Sequence, residues 1–222
     1  MGEKTRITAE DGFALDAYRA DPVGAPRGGV VVLQEIFGVN PHIRSVADRF
    51  AAEGYVALAP ALFDRVRNGV ELGYDEPGLA EARGLVAQSG RAEAMLDVAA
   101  AVDALGSAGR IGVVGFCWGG TLAYAAACDT PGIAAAIGYY GGGIAAMRAE
   151  SPVVPAMLHF GEQDGHIPLS DVESIRAEHP DLPVFTYPAG HGFNCDARAS
   201  YHRDSAEQAF ARTLDFLRQH LG

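Results

Sequence analysis

Gly115-Phe116-Cys117-Trp118-Gly119-Gly120 decides the fold of this chain of 222 residues. It has the form Gly-x-Cys-x-Gly between a predicted strand and a predicted helix, which is the nucleophile-elbow pattern with cysteine in place of serine. The two flanking glycines let neighbouring backbone approach without a Cβ clash. The turn projects the sulfur at the carboxyl end of the sheet, and the helix behind it favours a thiolate. Cys117 is therefore the candidate nucleophile, and the alternative is a buried structural cysteine beside a tight turn.

The sequence on either side of the elbow predicts alternating strands and helices. Asp11-Gly12 separates two alternating stretches, at residues 4–8 and 13–18, and indicates a β-hairpin. Continuous apolar runs fit strands buried on both faces of a parallel sheet, and they occupy residues 29–33, 55–59, 111–114, 133–139, 156–160 and 184–187. The alternation predicts an α/β protein with a mostly parallel central sheet and helices on both faces, formed by residues 1–222 as one domain.

Signals at helix ends support this interpretation. Asn40-Pro41 supplies an N-cap and a proline at the first helical position. Ser170-x-x-Glu173 has the form of a capping box and predicts a helix that runs to about His179. Residues 60–90 carry several glycines and prolines with a weak helical pattern, which predicts a wall beside the site. Further helical patterns follow Cys117 and cover residues 92–105 and 205–220.

Charge and cysteine content exclude several classes of function. The formal net charge is −11, from 17 basic and 28 acidic residues, which argues against nucleic acid as a partner because phosphate binding needs clustered lysine and arginine. The three cysteines have no C-x-x-C spacing, so they indicate neither a disulfide framework nor a zinc site. We expect no metal and no organic cofactor.

The same features indicate where the protein works. No apolar run reaches the length of a membrane span, and the start at Met1–Arg6 lacks the apolar core of a signal peptide. We expect a reduced, cytoplasmic protein without membrane attachment, as a monomer or a small homo-oligomer.

An acid and a histidine follow the candidate nucleophile in the order that this elbow requires. Asp164 lies in the loop after the strand at 156–160, and His191 lies in a glycine-flanked loop after the strand at 184–187. Asp164 would hold the imidazole in its useful tautomer, while His191 would take the thiol proton and later protonate the leaving group. An unperturbed thiol is only about 3% thiolate at neutral pH, so an adjacent base is useful.

Other side chains are rivals for these two roles. Glu162 is a nearby carboxylate, and Asp164 is also compatible with a simple turn residue. His166 and His159 are rival imidazoles, although the position of His159 on a predicted strand favours a structural role.

With these motifs, nearly the whole chain resembles the dienelactone hydrolases, or carboxymethylenebutenolidases. The resemblance implies the α/β-hydrolase fold and hydrolysis of a small lactone or ester by a Cys-His-Asp triad, with dienelactone to maleylacetate as the family reaction. The segments that carry it are residues 34–40, 115–120, 138–141, 161–164, 190–193 and 212–216.

The resemblance also assigns roles to further residues. It implies that Glu35 contacts the resting thiol and gives way when substrate enters, although a loop carboxylate capping the helix at Pro41 is the alternative. It places the oxyanion hole on the backbone N–H groups of Ile36 and Trp118. It implies that Phe37 and Tyr140 are substrate-binding residues. The binding partner that it implies is a small lactone or ester.

One departure from the family pattern concerns substrate charge. Members that act on dienelactone hold its carboxylate with two arginines, and the corresponding positions here are Cys195 and Leu79. Arg83 is the expected substitute because it lies in the predicted wall, and Arg198 is the alternative. The resemblance therefore leaves the physiological substrate open.

Two other classes of protein compete with a hydrolase. A thiol redox or sensor protein would use Cys117 with a resolving cysteine, but Cys128 follows about three helical turns later and is poorly placed. A binding protein would keep the fold without catalysis, and the intact set of three catalytic residue types argues against it. A related cysteine esterase that acts on a different ester is the nearest alternative.

Overall fold

A computed structural model describes residues 2–222 and has one eight-stranded sheet at its centre. The strand order is β1-β2-β4-β3-β5-β6-β7-β8. Strands β3 to β8 run parallel, while β1 and β2 form an antiparallel hairpin at one edge, as Asp11-Gly12 predicts. The strands are β1 Glu3–Thr8, β2 Ala14–Ala20, β3 Gly29–Leu33, β4 Val56–Pro60, β5 Ile111–Phe116, β6 Ile133–Tyr139, β7 Ala156–Gly161 and β8 Val184–Tyr187.

Helices cover both faces of this sheet, which confirms the predicted fold class. Alternate residues of β3 enter two different cores: Val30 shares a buried cluster with residues of α1 and α6, and Val31 shares another with residues of α3 and α4. The helices are α1 Pro41–Ala52, α2 Glu76–Gln88, α3 Arg91–Ala104, α4 Trp118–Asp129, α5 Leu169–Glu178 and α6 Arg203–Leu221. None of the helices within residues 2–222 is long and apolar enough to cross a bilayer.

Two predicted helix starts had different outcomes. The N-cap at Asn40 is confirmed, since its side-chain oxygen accepts a hydrogen bond from the N–H of Ile43 at 3.2 Å. The predicted capping box at Ser170 is wrong. Helix α5 begins one residue earlier, at Leu169 directly after the extended Pro168, so Ser170 already lies in its first turn and caps nothing.

The parallel strands direct their carboxyl ends to one edge of the sheet, and each end leads into a segment with a candidate site residue. Glu35 follows β3, Cys117 follows β5, Tyr140 follows β6, and Asp164 follows β7. His191 follows β8 at the same edge. Residues that are far apart in the chain therefore meet where open α/β sheets bind their ligands.

Candidate active site

The turn at Cys117 has the strained backbone that an elbow requires. Cys117 has φ 53° and ψ −115°, which side chains with a Cβ rarely adopt. A Cβ on Gly115 would lie 1.9 Å from the carbonyl oxygen of Gly119, and one on Gly119 would lie 2.5 Å from two carbonyl oxygens of the β3 end. The Cys117 N–H donates to the carbonyl of Tyr139 at 2.9 Å. Tight backbone packing therefore holds the strain in place and keeps the sulfur at the sheet edge.

Three side chains form a continuous relay at this edge. His191 Nε2 lies 3.2 Å from Cys117 Sγ, and His191 Nδ1 lies 2.7 Å from Asp164 Oδ2. The other oxygen of Asp164 accepts hydrogen bonds from the backbone N–H groups of His166 at 2.8 Å and Ile167 at 3.2 Å. The structure thus brings together the cysteine, histidine and aspartate that the chain order predicts, and fixes the carboxylate from two sides.

The rival residues lie elsewhere. Glu162 is exposed. His159 is fully buried on β7, where its ring nitrogens contact the Tyr187 hydroxyl at 2.8 Å and the Thr213 hydroxyl at 3.3 Å. Burial lowers the pKa of His159 to about 3, so it is a neutral part of the core. His166 packs edge-on against His191, with ring centroids 5.2 Å apart, and its own side chain is exposed.

The electrostatics of the relay favour a charged histidine. Burial lowers the pKa of His191, but the hydrogen bonds and charges of Asp164 and Cys117 outweigh burial and raise that pKa to about 10. Burial likewise raises the pKa of Asp164, and the hydrogen bond and charge of His191 overcome it, so the net pKa of that carboxyl is lowered. These two shifts favour an imidazolium at His191 paired with a carboxylate at Asp164.

Glu35 is a buried carboxylate with an arginine as its partner. Its side chain is fully buried, and Oε1 pairs with Nη1 of Arg198 at 3.3 Å. The second oxygen, Oε2, has no hydrogen-bond partner among the described residues. Glu35 does not cap α1, because Asn40 occupies that position. The alternative role as a helix cap is therefore wrong.

The arginine that reaches the site is Arg198, and the expectation for Arg83 needs revision. Arg83 is exposed on α2, and within residues 2–222 it forms no ion pair. Arg198 lies over the rings of Phe37 and Tyr74, at 5.8 and 5.7 Å. The tertiary structure explains why Arg198 and not Arg83 reaches the site. The loop after His191 folds back over the carboxyl end of β3, whereas Arg83 faces solvent.

The two positions that replace the family arginines have unlike surroundings. Cys195 is fully buried beside Tyr74, and burial with the charge of Glu35 raises its pKa to about 12. Leu79 is half-buried on α2. Neither side chain offers a positive charge to a substrate.

Aromatic side chains surround the relay. Trp118 stacks on Phe63 of the wall, with ring centroids 5.1 Å apart and an interplanar angle of 8°. Phe37 packs on Tyr74 at 4.5 Å. Tyr140 is fully buried with φ 38°, and its ring centroid lies 5.1 Å from that of His191. These rings place apolar surface next to the relay.

Sequence reasoning missed two residues of this site. Tyr74 accepts a hydrogen bond from the Asn40 amide at 3.0 Å and packs on Phe37, but nothing in the weak pattern of residues 60–90 marks it. Gln34 belongs to a motif of the family resemblance, yet its contacts become visible only in three dimensions. Within residues 2–222, the structure contains no cluster of three or more His, Cys, Asp or Glu side chains suited to a metal ion.

Fold and site together define a class of protein. A cysteine on a nucleophile elbow, met by a histidine and an aspartate from later loops at the carboxyl edge of the sheet, is the arrangement of hydrolases with the α/β-hydrolase fold. The sequence profile of the Dienelactone hydrolase family matches residues 15–221, and the chain belongs to that family.

Similar proteins agree with this assignment. A Synechocystis sp. protein named "Putative carboxymethylenebutenolidase" is 37% identical over 93% of this chain and 92% of its own length. "Carboxymethylenebutenolidase 1" of Cupriavidus pinatubonensis is 32% identical over 98% of this chain and 97% of its own. A Klebsiella pneumoniae crystal structure described as a "Putative Dienelactone Hydrolase" has a TM-score of 0.85 and 31% identity, covering 99% of this chain and all of the other. The protein is accordingly a hydrolase.

Proposed function

We propose that this protein hydrolyses a small lactone or ester through a thioester on Cys117, with His191 as the proton carrier and Asp164 as the group that orients it. The observation that carries the proposal is the relay of 3.2 Å from Sγ to Nε2 and 2.7 Å from Nδ1 to the carboxylate. Both distances allow direct proton transfer at hydrogen-bond range.

Acylation begins when the Cys117 thiolate attacks the carbonyl carbon and forms an S–C bond. The carbonyl electron pair moves to oxygen and then returns as the ester C–O bond breaks. The leaving oxygen takes the proton of the His191 imidazolium, which leaves a thioester and a neutral imidazole. His191 then accepts a proton from water as the water attacks the thioester. The tetrahedral intermediate collapses with cleavage of the C–S bond, so the carboxylic acid leaves and the Cys117 thiolate and the His191 imidazolium are restored.

The charge that develops on the carbonyl oxygen needs donors in place beforehand. We assign these donors to the N–H groups of Ile36 and Trp118. Trp118 is the first residue of α4, and the first N–H groups of a helix have no acceptor within the helix. Two such donors stabilise a developing oxyanion because they are fixed in place before the reaction starts.

Glu35 and the arginines have roles before the ester bond is cleaved, in controlling the resting thiol and in binding the substrate. We propose that Glu35 contacts the thiol before substrate enters and that Arg198 competes for the same carboxylate, since the two are 3.3 Å apart. A substrate carboxylate would be met by Arg198, or by Arg83 if that exposed side chain turns inward. Phe37 and Tyr140 would line the apolar part of the substrate.

The test is to assay the purified protein against cis-dienelactone, trans-dienelactone and p-nitrophenyl acetate in one buffer, with Cys117→Ala as the control. Turnover of a dienelactone that Cys117→Ala abolishes would support both the chemistry and the family substrate. Turnover of the neutral ester alone would support a related cysteine esterase with a different substrate. Turnover that survives in Cys117→Ala, or none on any substrate, would refute the proposal.

A further inference from the structure

Gln34 joins the three backbone segments that form the site. It is fully buried directly after β3. Its carbonyl accepts a hydrogen bond from the N–H of Gly119 at 3.1 Å, its Oε1 accepts from the N–H of Leu62 at 3.2 Å, and its Nε2 donates to the carbonyl of Glu35 at 3.3 Å. Gln34 therefore forms hydrogen bonds with three segments: helix α4, the wall and the loop after β3.

The bond to the Glu35 carbonyl has a specific geometric consequence. That carbonyl and the N–H of Ile36 belong to the same peptide unit, which is planar and trans, so the two groups point in opposite directions. A donor that holds the carbonyl on one side fixes the direction of the N–H on the other. Donation to the carbonyl also polarises the peptide and makes its N–H a better donor.

The bond to Leu62 acts on the second proposed donor. The Leu62 N–H is shared between Gln34 Oε1 and the carbonyl of Pro60, at 3.2 and 3.0 Å, which fixes the start of the wall. Phe63 comes next in that wall and stacks on Trp118. The same amide that orients the Ile36 peptide thus helps to hold the ring that packs on Trp118.

We propose that Gln34 is a positioning residue that aims the Ile36 N–H at the developing oxyanion and holds it in register with the Trp118 N–H. The inference rests on the proposed function, because it concerns how the oxyanion is stabilised. Gln34 does not contact the Cys117 thiol by any hydrogen bond within residues 2–222. Its loss should therefore slow acyl transfer without changing the reactivity of the thiol.

The test uses Gln34→Met, which has a similar length and makes neither hydrogen bond. We expect the rate of acylation by p-nitrophenyl acetate, measured before the steady state, and kcat to fall about 10- to 100-fold, since removing an oxyanion donor outright costs about 10²–10³-fold and here it is only misaimed. KM should stay within about twofold. Alkylation of Cys117 by iodoacetamide, which develops no oxyanion, should also stay within about twofold.

Tyr124→Phe is the matched control, because it removes a hydroxyl in the middle of α4 that donates to the Glu150 carbonyl at 2.7 Å and lies 3.0 Å from His179 Nε2, and neither partner is assigned to the site. It should leave kcat and alkylation unchanged. If Gln34→Met does not fold, Gln34→Asn keeps the amide but is one methylene too short to make both bonds, and the same losses are expected. An unchanged kcat, or alkylation that falls in step with acylation, would overturn the inference. An inactive wild-type protein would instead overturn the proposed function and this inference with it.

Discussion

Arg198→Met should destabilise the folded protein, and Glu35→Gln should reverse much of that loss. Glu35 is fully buried and Arg198 is its one ion-pair partner among the described residues, so the first substitution leaves a buried carboxylate without a counter-charge. Breaking a buried pair on one side costs about 3–5 kcal/mol. The Arg198 side chain is 21% exposed, so water reaches this place, and we expect a reduced loss of about 2–4 kcal/mol.

The second substitution acts on the charge itself. Glu35→Gln alone should cost about 1 kcal/mol or less, because the arginine left behind is hydrated at its exposed side. In the double variant no buried carboxylate remains, so the free energy of unfolding should recover by about 2 kcal/mol relative to Arg198→Met. Urea unfolding at neutral pH, followed by circular dichroism, measures all four proteins. The control is Arg83→Met at an exposed position, which should stay within about 0.5 kcal/mol of wild type.

The same set of variants reports on the thiol. Without Arg198, Glu35 is free to accept a hydrogen bond from the Cys117 thiol, so alkylation by iodoacetamide should slow in Arg198→Met and recover in the double variant. The reasoning fails if Arg198→Met is as stable as wild type, or if the two losses of stability simply add. Equal alkylation rates in all four proteins would refute the competition for the carboxylate.

Four further outcomes are expected. Cys117→Ala should lower ester turnover at least about 10³-fold with an unchanged fold; retained turnover would mean that another residue is the nucleophile. His191→Ala should cost nearly as much, and the double variant little more, because one proton transfer involves both; additive losses would contradict a shared step. Arg198→Met should raise KM for an anionic lactone about 10- to 100-fold and leave KM for a neutral ester within about twofold, although kcat should fall for both as the thiol becomes less reactive. Arg83→Ala should change neither KM, and the opposite result would return the role to Arg83. Burial lowers the pKa of His159 in the folded protein to about 3. As pH falls below about 6.5, the unfolded chain binds a proton at this histidine and the folded protein does not, so the free energy of unfolding decreases. Between about pH 6.5 and 4.5, wild type should therefore lose about 2 kcal/mol more stability than His159→Gln, and equal losses measured by urea unfolding would show that the folded protein takes up that proton.

The elbow and the strands around it could be predicted from sequence because their signals are local. The glycines around Cys117 and the apolar runs on both sides each specify a short piece of backbone, and the chain order then limits the choice of acid and base. Asp164 and His191 can be selected as the acid and the base because each lies in a loop after a predicted strand. The structure brings the three side chains within hydrogen-bond distance of one another, and their catalytic roles stay a prediction.

The charges around the substrate could not be predicted in the same way. Arg198 and Glu35 are 163 positions apart in the chain, and no local pattern indicates that the loop after His191 folds back over the β3 end. The position of Arg83 in the predicted wall favours it as the substrate-binding arginine, yet α2 also has a face toward solvent, and Arg83 lies on that face. The contacts of Gln34 with Leu62 and Tyr74 with Phe37 depend equally on how distant loops pack.

The crowded elbow also bears on how such an enzyme changes over generations. A Cβ at Gly120 would lie 2.4 Å from the carbonyl oxygen of Tyr139, and one at Gly115 would lie 1.9 Å from that of Gly119. Every amino-acid substitution at these glycines adds at least a Cβ, so even the smallest replacement, alanine, would clash with backbone there. The side chain of Cys117 is partly exposed and contacts His191 Nε2 at 3.2 Å, so it is not subject to that restriction. A single nucleotide change can replace Cys117 with serine, and the crowded backbone would keep the nucleophilic atom in the same position. The chemical identity of the nucleophile can therefore evolve while its location in the fold stays fixed.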